Sequence, residues 1–149
     1  MTNDPAPGGE QPGWQGQPPY PGTYGQVGQA PYTEVHNIGE IWCAALMKIN
    51  RDLGTAFGNK KRGHLLAWQL VVDGMKMTRA NPSFLDARDG ILRSLEGQRK
   101  AGKLTPDDHK KALRVLWRAF ARFGMGPKAR SVGASLFGIV EDRNPPPGI

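Results

Sequence analysis

From residue 35 onward the apolar side chains return every three or four positions, and that period constrains the fold more than any other feature. Val35, Ile38, Ile41, Trp42, Ala45, Leu46, Ile49 and Leu53 share one face of a 3.6-residue repeat, which predicts an amphipathic helix of about five turns. Thr33 is placed to cap its start, and Gly54 stands where a left-handed residue would end it. A helix with one apolar stripe must bury that stripe against another element, so the segment needs partners. Gly39 costs about 1 kcal/mol against alanine inside a helix, which reads as close packing at the level of His36.

The partners follow in order. Residues 54–62, with Gly54, Gly58, Asn59, Lys60, Lys61 and Arg62, read as a polar connection. A second helix is predicted over 64–79, apolar on nearly every side, as for a helix surrounded by others. Asn81-Pro82 stops it, because the residue before proline is pushed out of the α region. Ser83 with Asp86 three residues on makes a capping box for a third helix, with Ile91, Leu92 and Leu95 inward and Phe84 and Leu85 pinning its start. Residues 97–103 read as an exposed basic loop. Thr105, Pro106, Asp107 and Asp108 open a fourth helix with cap, first-position proline and acidic first turn. Its buried stripe is Leu113, Leu116, Trp117, Phe120 and Phe123, opposite the solvated Lys111, Arg114, Arg118 and Arg122. Gly124 and Gly126-Pro127 close it, and a helical turn followed by an extended segment is expected in the tail. The fold class is mainly α, a bundle of about four to five helices over 33–142, with a Pro-rich tail at 143–149.

Residues 1–32 hold seven Pro and seven Gly, interleaved with Gln and Tyr, and are expected to be linker or disordered arm rather than core. The stretch admits two other uses: a polyproline ligand at 18–21, and an ordered active-site loop lying across the domain. Beyond residue 32, twenty Lys and Arg face eleven Asp and Glu, a balance of +9 that permits polyanion binding and says nothing of fold. Cys43 is the one cysteine; among alanines in an apolar pattern it reads as a buried thiol, and alone it anchors neither a disulfide nor a metal. No window is apolar enough to span a membrane, and no secretory leader is visible in this chain.

Chemistry is sparse. His36, His64 and His109 are far apart, H-E-x-x-H is absent, and neither a phosphate loop nor a G-x-S-x-G elbow is present. His36 and Glu40 have i,i+4 spacing, which favours an ordinary helix-surface pair. His64 and His109 read as helix-end histidines. Asp86, Arg88 and Asp89 read as a cap and an ion pair in preference to a charged relay near a cleft.

Several separated segments nevertheless occur in a telling order: 34–42 around His36, Leu70 to Lys76, Asn81-Pro82 through Asp89, Trp117-Arg118-Ala119-Phe120-Ala121 with Gly124-Met125-Gly126, and Val140-Glu141-Asp142. Together they resemble the C-terminal helical half of fungalysin-type, thermolysin-like zinc metallopeptidases, over residues 33–142. The resemblance implies a helical wall facing a zinc-bearing N-terminal half across a cleft for peptide substrate. It implies that His36 donates a hydrogen bond to the oxyanion formed on the peptide carbonyl, and that the cofactor is zinc. The metal-binding helix and third ligand have no counterpart here, so the chain by itself is expected to be inactive, as a fragment or a short relative that has lost the zinc half. The location implied is extracellular for a full-length member and cytoplasmic for a free-standing chain.

Two other classes stand beside this reading. A polyanion-binding module could use Lys60-Lys61-Arg62, Arg99-Lys100-Lys103 and the fourth helix, but the charges are dispersed and lack a stacking platform, which disfavours nucleic acid as a partner. A non-catalytic interaction module would use the arm and an apolar wall left uncovered.

Overall fold

Residues 22–149 are described in a computed structural model. Four helices form near the places their apolar periods indicate: α1 over Val35–Ala56, α2 over Lys60–Lys76, α3 over Phe84–Lys100 and α4 over Pro106–Arg122. Each packs on its neighbour in sequence, and α4 closes back on α1. The directions alternate: Asn50 of α1 meets His64 of α2, Gly74 of α2 meets Ile91 of α3, and Glu96 of α3 meets His109 of α4. Ile41, Ile49, Leu53, Leu70, Leu95, Leu116 and Phe120 fill the centre and are fully buried. Across the bundle, Phe84 lies between Trp42 and Tyr24 with ring centroids 5.3 and 6.1 Å away, and Trp42 also stacks on Phe120 at 6.1 Å. Offset aromatic contacts of this kind add directional preference to apolar burial.

The expected boundaries shift for physical reasons. Glu34, not Thr33, caps α1, because its carboxylate reaches two free backbone N–H groups of the first turn. The helix runs through Gly54 to Ala56, and α2 begins at Lys60, capped by the Asn59 carboxamide, so the polar connection is only three residues long. Gly54 is a crossing point instead of a stop. A Cβ on Gly63 would lie 2.2 Å from the Gly54 nitrogen, so the two backbones touch there. The α2–α3 crossing repeats the device, since a Cβ on Gly90 would lie 2.6 Å from the Gly74 carbonyl oxygen. Helix α3 likewise continues to Lys100, and the turn falls at Gly102, whose φ of 69° suits glycine. The capping box of Ser83 and Asp86 and the Thr105 cap with Pro106 form as expected.

Four expectations need correction. Helix α2 is not surrounded: Leu65, Trp68 and Met75 are 58, 61 and 64% exposed, because the bundle covers only the side carrying Gly63, Ala67, Leu70 and Gly74. Cys43 is exposed on the outer side of α1 and is not a buried thiol. Gly39 faces open space, with no described residue within 4 Å of a built Cβ, so the described residues supply no close packing beside His36. The arm expected over 1–32 does join the core at its end. A 3-10 turn over Tyr24–Gln26 leads to Tyr32; Tyr24, Val27 and Tyr32 are buried, and Tyr24 donates its backbone N–H to the Phe123 carbonyl at 2.9 Å. The remainder of that arm, including the polyproline stretch 18–21, lies outside the described residues.

The tail forms no helix. It returns along the end of α4 through isolated bridges, Met125 with Asp142 and Arg130 with Val140. The Asp142 carboxylate, accepting from the backbone N–H groups of Lys128 at 2.8 Å and Asn144 at 3.1 Å, closes this loop. Those bonds, the Lys128 one foremost, hold its carboxyl below the usual aspartate range.

Candidate functional site

His36 occupies the first turn of α1 on its outer side, with its side chain 87% exposed. Glu34 organises the position. One carboxylate oxygen accepts from the backbone N–H groups of His36 at 2.9 Å and Asn37 at 3.3 Å, and the other meets His36 Nδ1 at 2.6 Å. The same carboxylate therefore satisfies the helix end and orients the imidazole. The ring turns back to Glu34, two residues away, instead of forward to Glu40. With Nδ1 so engaged, Nε2 is left toward solvent. The hydrogen bond from His36 is the largest cause holding the Glu34 carboxyl below its ordinary value, ahead of the backbone bonds. Asn37 donates its side-chain N–H to the Pro31 carbonyl at 3.1 Å, tying this turn to the loop that leaves Tyr32 in the core.

Asp86, Arg88, Asp89, His64 and His109 lie elsewhere and have structural duties. Asp86 caps α3, accepting from the Ser83 backbone at 2.8 Å. Arg88 is buried; its Nη1 donates to the carbonyls of Met125 at 3.1 Å and Gly126 at 2.7 Å, its Nε donates to Asp89 at 2.8 Å, and its guanidinium lies over Trp117. It pins the α4–tail turn to α3. His64 pairs with the Asn50 side chain at 3.0 Å, and His109 lies 3.4 Å from Glu96, so both helix-end histidines have partners. Two hydrogen bonds from Arg99 bring the Glu96 carboxyl down to about 2, which keeps it anionic opposite His109.

The three histidines are thus divided among separate places. Among the described residues no group of three His, Cys, Asp or Glu side chains comes together as a metal site, so the donors present do not fit one. What the His36 position offers chemically is a single oriented, solvent-facing imidazole beside a carboxylate.

A model of the Fungalysin metallopeptidase (M36) family matches residues 18–129. The chain belongs to the fungalysin metallopeptidase family. It is 31% identical over 122 residues to an extracellular metalloproteinase of Pyrenophora tritici-repentis (strain Pt-1C-BFP), which covers 73% of this chain and 17% of that protein. It is 32% identical over 111 residues to extracellular metalloproteinase 1 of Arthroderma gypseum, covering 66% and 16%. Extracellular metalloproteinase 2 of Phaeosphaeria nodorum is 34% identical over 114 residues, covering 67% and 16%. The chain therefore spans only 16–17% of the length of these relatives. No helix of the described residues is long and apolar enough to cross a membrane.

Sequence reasoning singled out His36 and missed Glu34 as its partner. The available signal was a carboxylate two residues before the histidine at a helix start, where a cap and a ring can share one acceptor.

Proposed function

We infer that this chain is the helical wall of the substrate cleft in a fungalysin-type zinc metalloendopeptidase, acting in the extracellular space as part of a longer product. The observation that carries the reading is the orientation of His36: it stands at the outward end of α1, its Nδ1 is held by Glu34, and the rest of the ring is presented to solvent. In this reading the protonated imidazole keeps Nδ1–H on Glu34 and donates Nε2–H to a peptide carbonyl oxygen as negative charge develops on it. A donor aimed at developing charge lowers the barrier without holding the ground state more tightly, and removing one such donor typically costs about 10²–10³ in kcat. Among the described residues no set of donors fits a metal, and in this reading water activation belongs to a zinc-bearing N-terminal half.

The test mixes or co-expresses the chain with the zinc-bearing half of a fungal relative and follows zinc-dependent peptide hydrolysis. Activity is expected with intact His36, and His36→Ala is expected to lower kcat about 10²–10³-fold with little change in KM. Because the side chain is exposed, circular dichroism of the variant should match the parent. No restored activity with His36 intact, or a variant as active as the parent, rejects the reading.

A further inference from the structure

Helix α2 has a second apolar face that the bundle leaves open. Leu65, Trp68, Val72 and Met75 recur at spacings of three and four, the a and d positions of two heptads, on the side away from the buried Ala67, Leu70 and Gly74. Leu65, Trp68 and Met75 are more than half exposed. A seam with this period is complementary to another helix lying nearly parallel or antiparallel to it.

Its two ends differ. At the N-terminal end lies an open groove of about 600 Å³ whose lining includes Arg51, Lys60, Lys61 and His64, and no carboxylate of the described residues lines it. His64 joins groove to seam, since its ring meets Trp68 edge-on at 6.0 Å. Lys60 and Lys61 are also the first two residues of α2, so their charges add to the positive end of the helix dipole. At the other end Met75 lines an apolar recess of about 370 Å³ with Trp42, Leu46, Val71 and Ile91. Leu65 and Met75 are ten residues apart, so the seam is about 15 Å long, some three turns of helix.

We propose that this face binds an amphipathic helix of a partner protein, one with an apolar stripe, carboxylates at the end that meets Lys60 and Lys61, and a large apolar side chain for the recess beside Met75. Charge selects this occupant over a second copy of the chain. A parallel self-pairing sets Lys60 and Lys61 against themselves, and an antiparallel one sets them against Lys76 with Asp73, a carboxylate already committed to Lys76 at 3.0 Å and to the side chains of Gln69 and Gln98, so neither arrangement gives the two lysines an uncommitted acid. The proposal is independent of the role assigned to His36.

The probes are two fluorescein-labelled synthetic peptides of about three heptads, both with Leu at a and d, one with Glu and the other with Lys at e and g. Fluorescence anisotropy with the whole chain is expected to show saturable binding of the Glu peptide and at least about tenfold weaker binding of the Lys peptide. Trp68→Ala is expected to weaken the Glu peptide about tenfold or more. Joint Lys60→Glu and Lys61→Glu should reverse the preference between peptides. All three positions are exposed, and unchanged thermal unfolding confirms that the variants remain folded. Absence of saturable binding, equal binding of both peptides or insensitivity to Trp68→Ala overturns the proposal. It also falls if the chain sediments as a dimer that Trp68→Ala dissociates, or if the zinc-bearing half of a relative displaces the peptide through Trp68. The first of those results assigns the face to a second copy, and the second assigns it to the rest of the enzyme.

Discussion

Glu34 shows how one carboxylate can serve a helix end and a side chain together, and its titration has a definite sign. Its folded-state pKa is lowered, first by the His36 ring and then by the Asn37 and His36 amides. The stabilisation is therefore fully present above the ordinary glutamate value and is lost as pH falls through the lower folded one. NMR should show the backbone amides of His36 and Asn37 titrating with a midpoint below that of free glutamate, and Glu34→Ala should abolish that transition and speed their hydrogen exchange. Arg88 is the opposite kind of residue, buried and committed to two carbonyls. Replacing it by methionine leaves the Met125 and Gly126 oxygens without their donor, and urea unfolding should show a loss of roughly 2–4 kcal/mol.

Glycines distinguish the two sides of the helices. Gly63 lies where α2 crosses α1, so Gly63→Ala pushes a methyl into the Gly54 backbone. The gain in helix propensity, about 1 kcal/mol, is smaller than the cost of separating two packed helices, and a net loss of about 2 kcal/mol is expected in denaturant melts. Gly39 is also helical, but its missing Cβ faces solvent. There Gly39→Ala should stabilise the isolated chain by about 1 kcal/mol, since propensity acts unopposed. The pattern of period and punctuation made all four helices legible, and the caps at Ser83 and Thr105 as well. The stop assigned to Gly54 failed because glycine serves both as a helix terminator and as a contact between helices, and only the neighbouring backbone tells which. The boundary expected at Gly97 failed similarly, since that glycine lies within a helix that runs on to Lys100.

At the scale of the whole molecule, the bundle is completed by segments that carry no helical signal. Thr23 donates its hydroxyl to Glu141 at 3.0 Å, Tyr24 donates its backbone N–H to the Phe123 carbonyl, and Tyr32 is 1% exposed. Tyr32→Ala should therefore cost about 3–5 kcal/mol, comparable to truncating a central core aromatic, and calorimetry should show a single lowered transition. Averaged composition hid this, because seven prolines and seven glycines dominate the count over 1–32 while three apolar side chains decide where the end of that stretch goes.

Local chemistry along the chain was enough to specify the helix periods and the Ser83 and Thr105 caps, since each depends on residues within a few positions of one another. Distant neighbours were needed for the exposure of Cys43 and the outer face of α2, the Gly54–Gly63 crossing and the burial of Tyr32. Whether a side chain meets solvent, a backbone or a core depends on what the rest of the fold brings beside it, and a one-dimensional pattern does not contain that information.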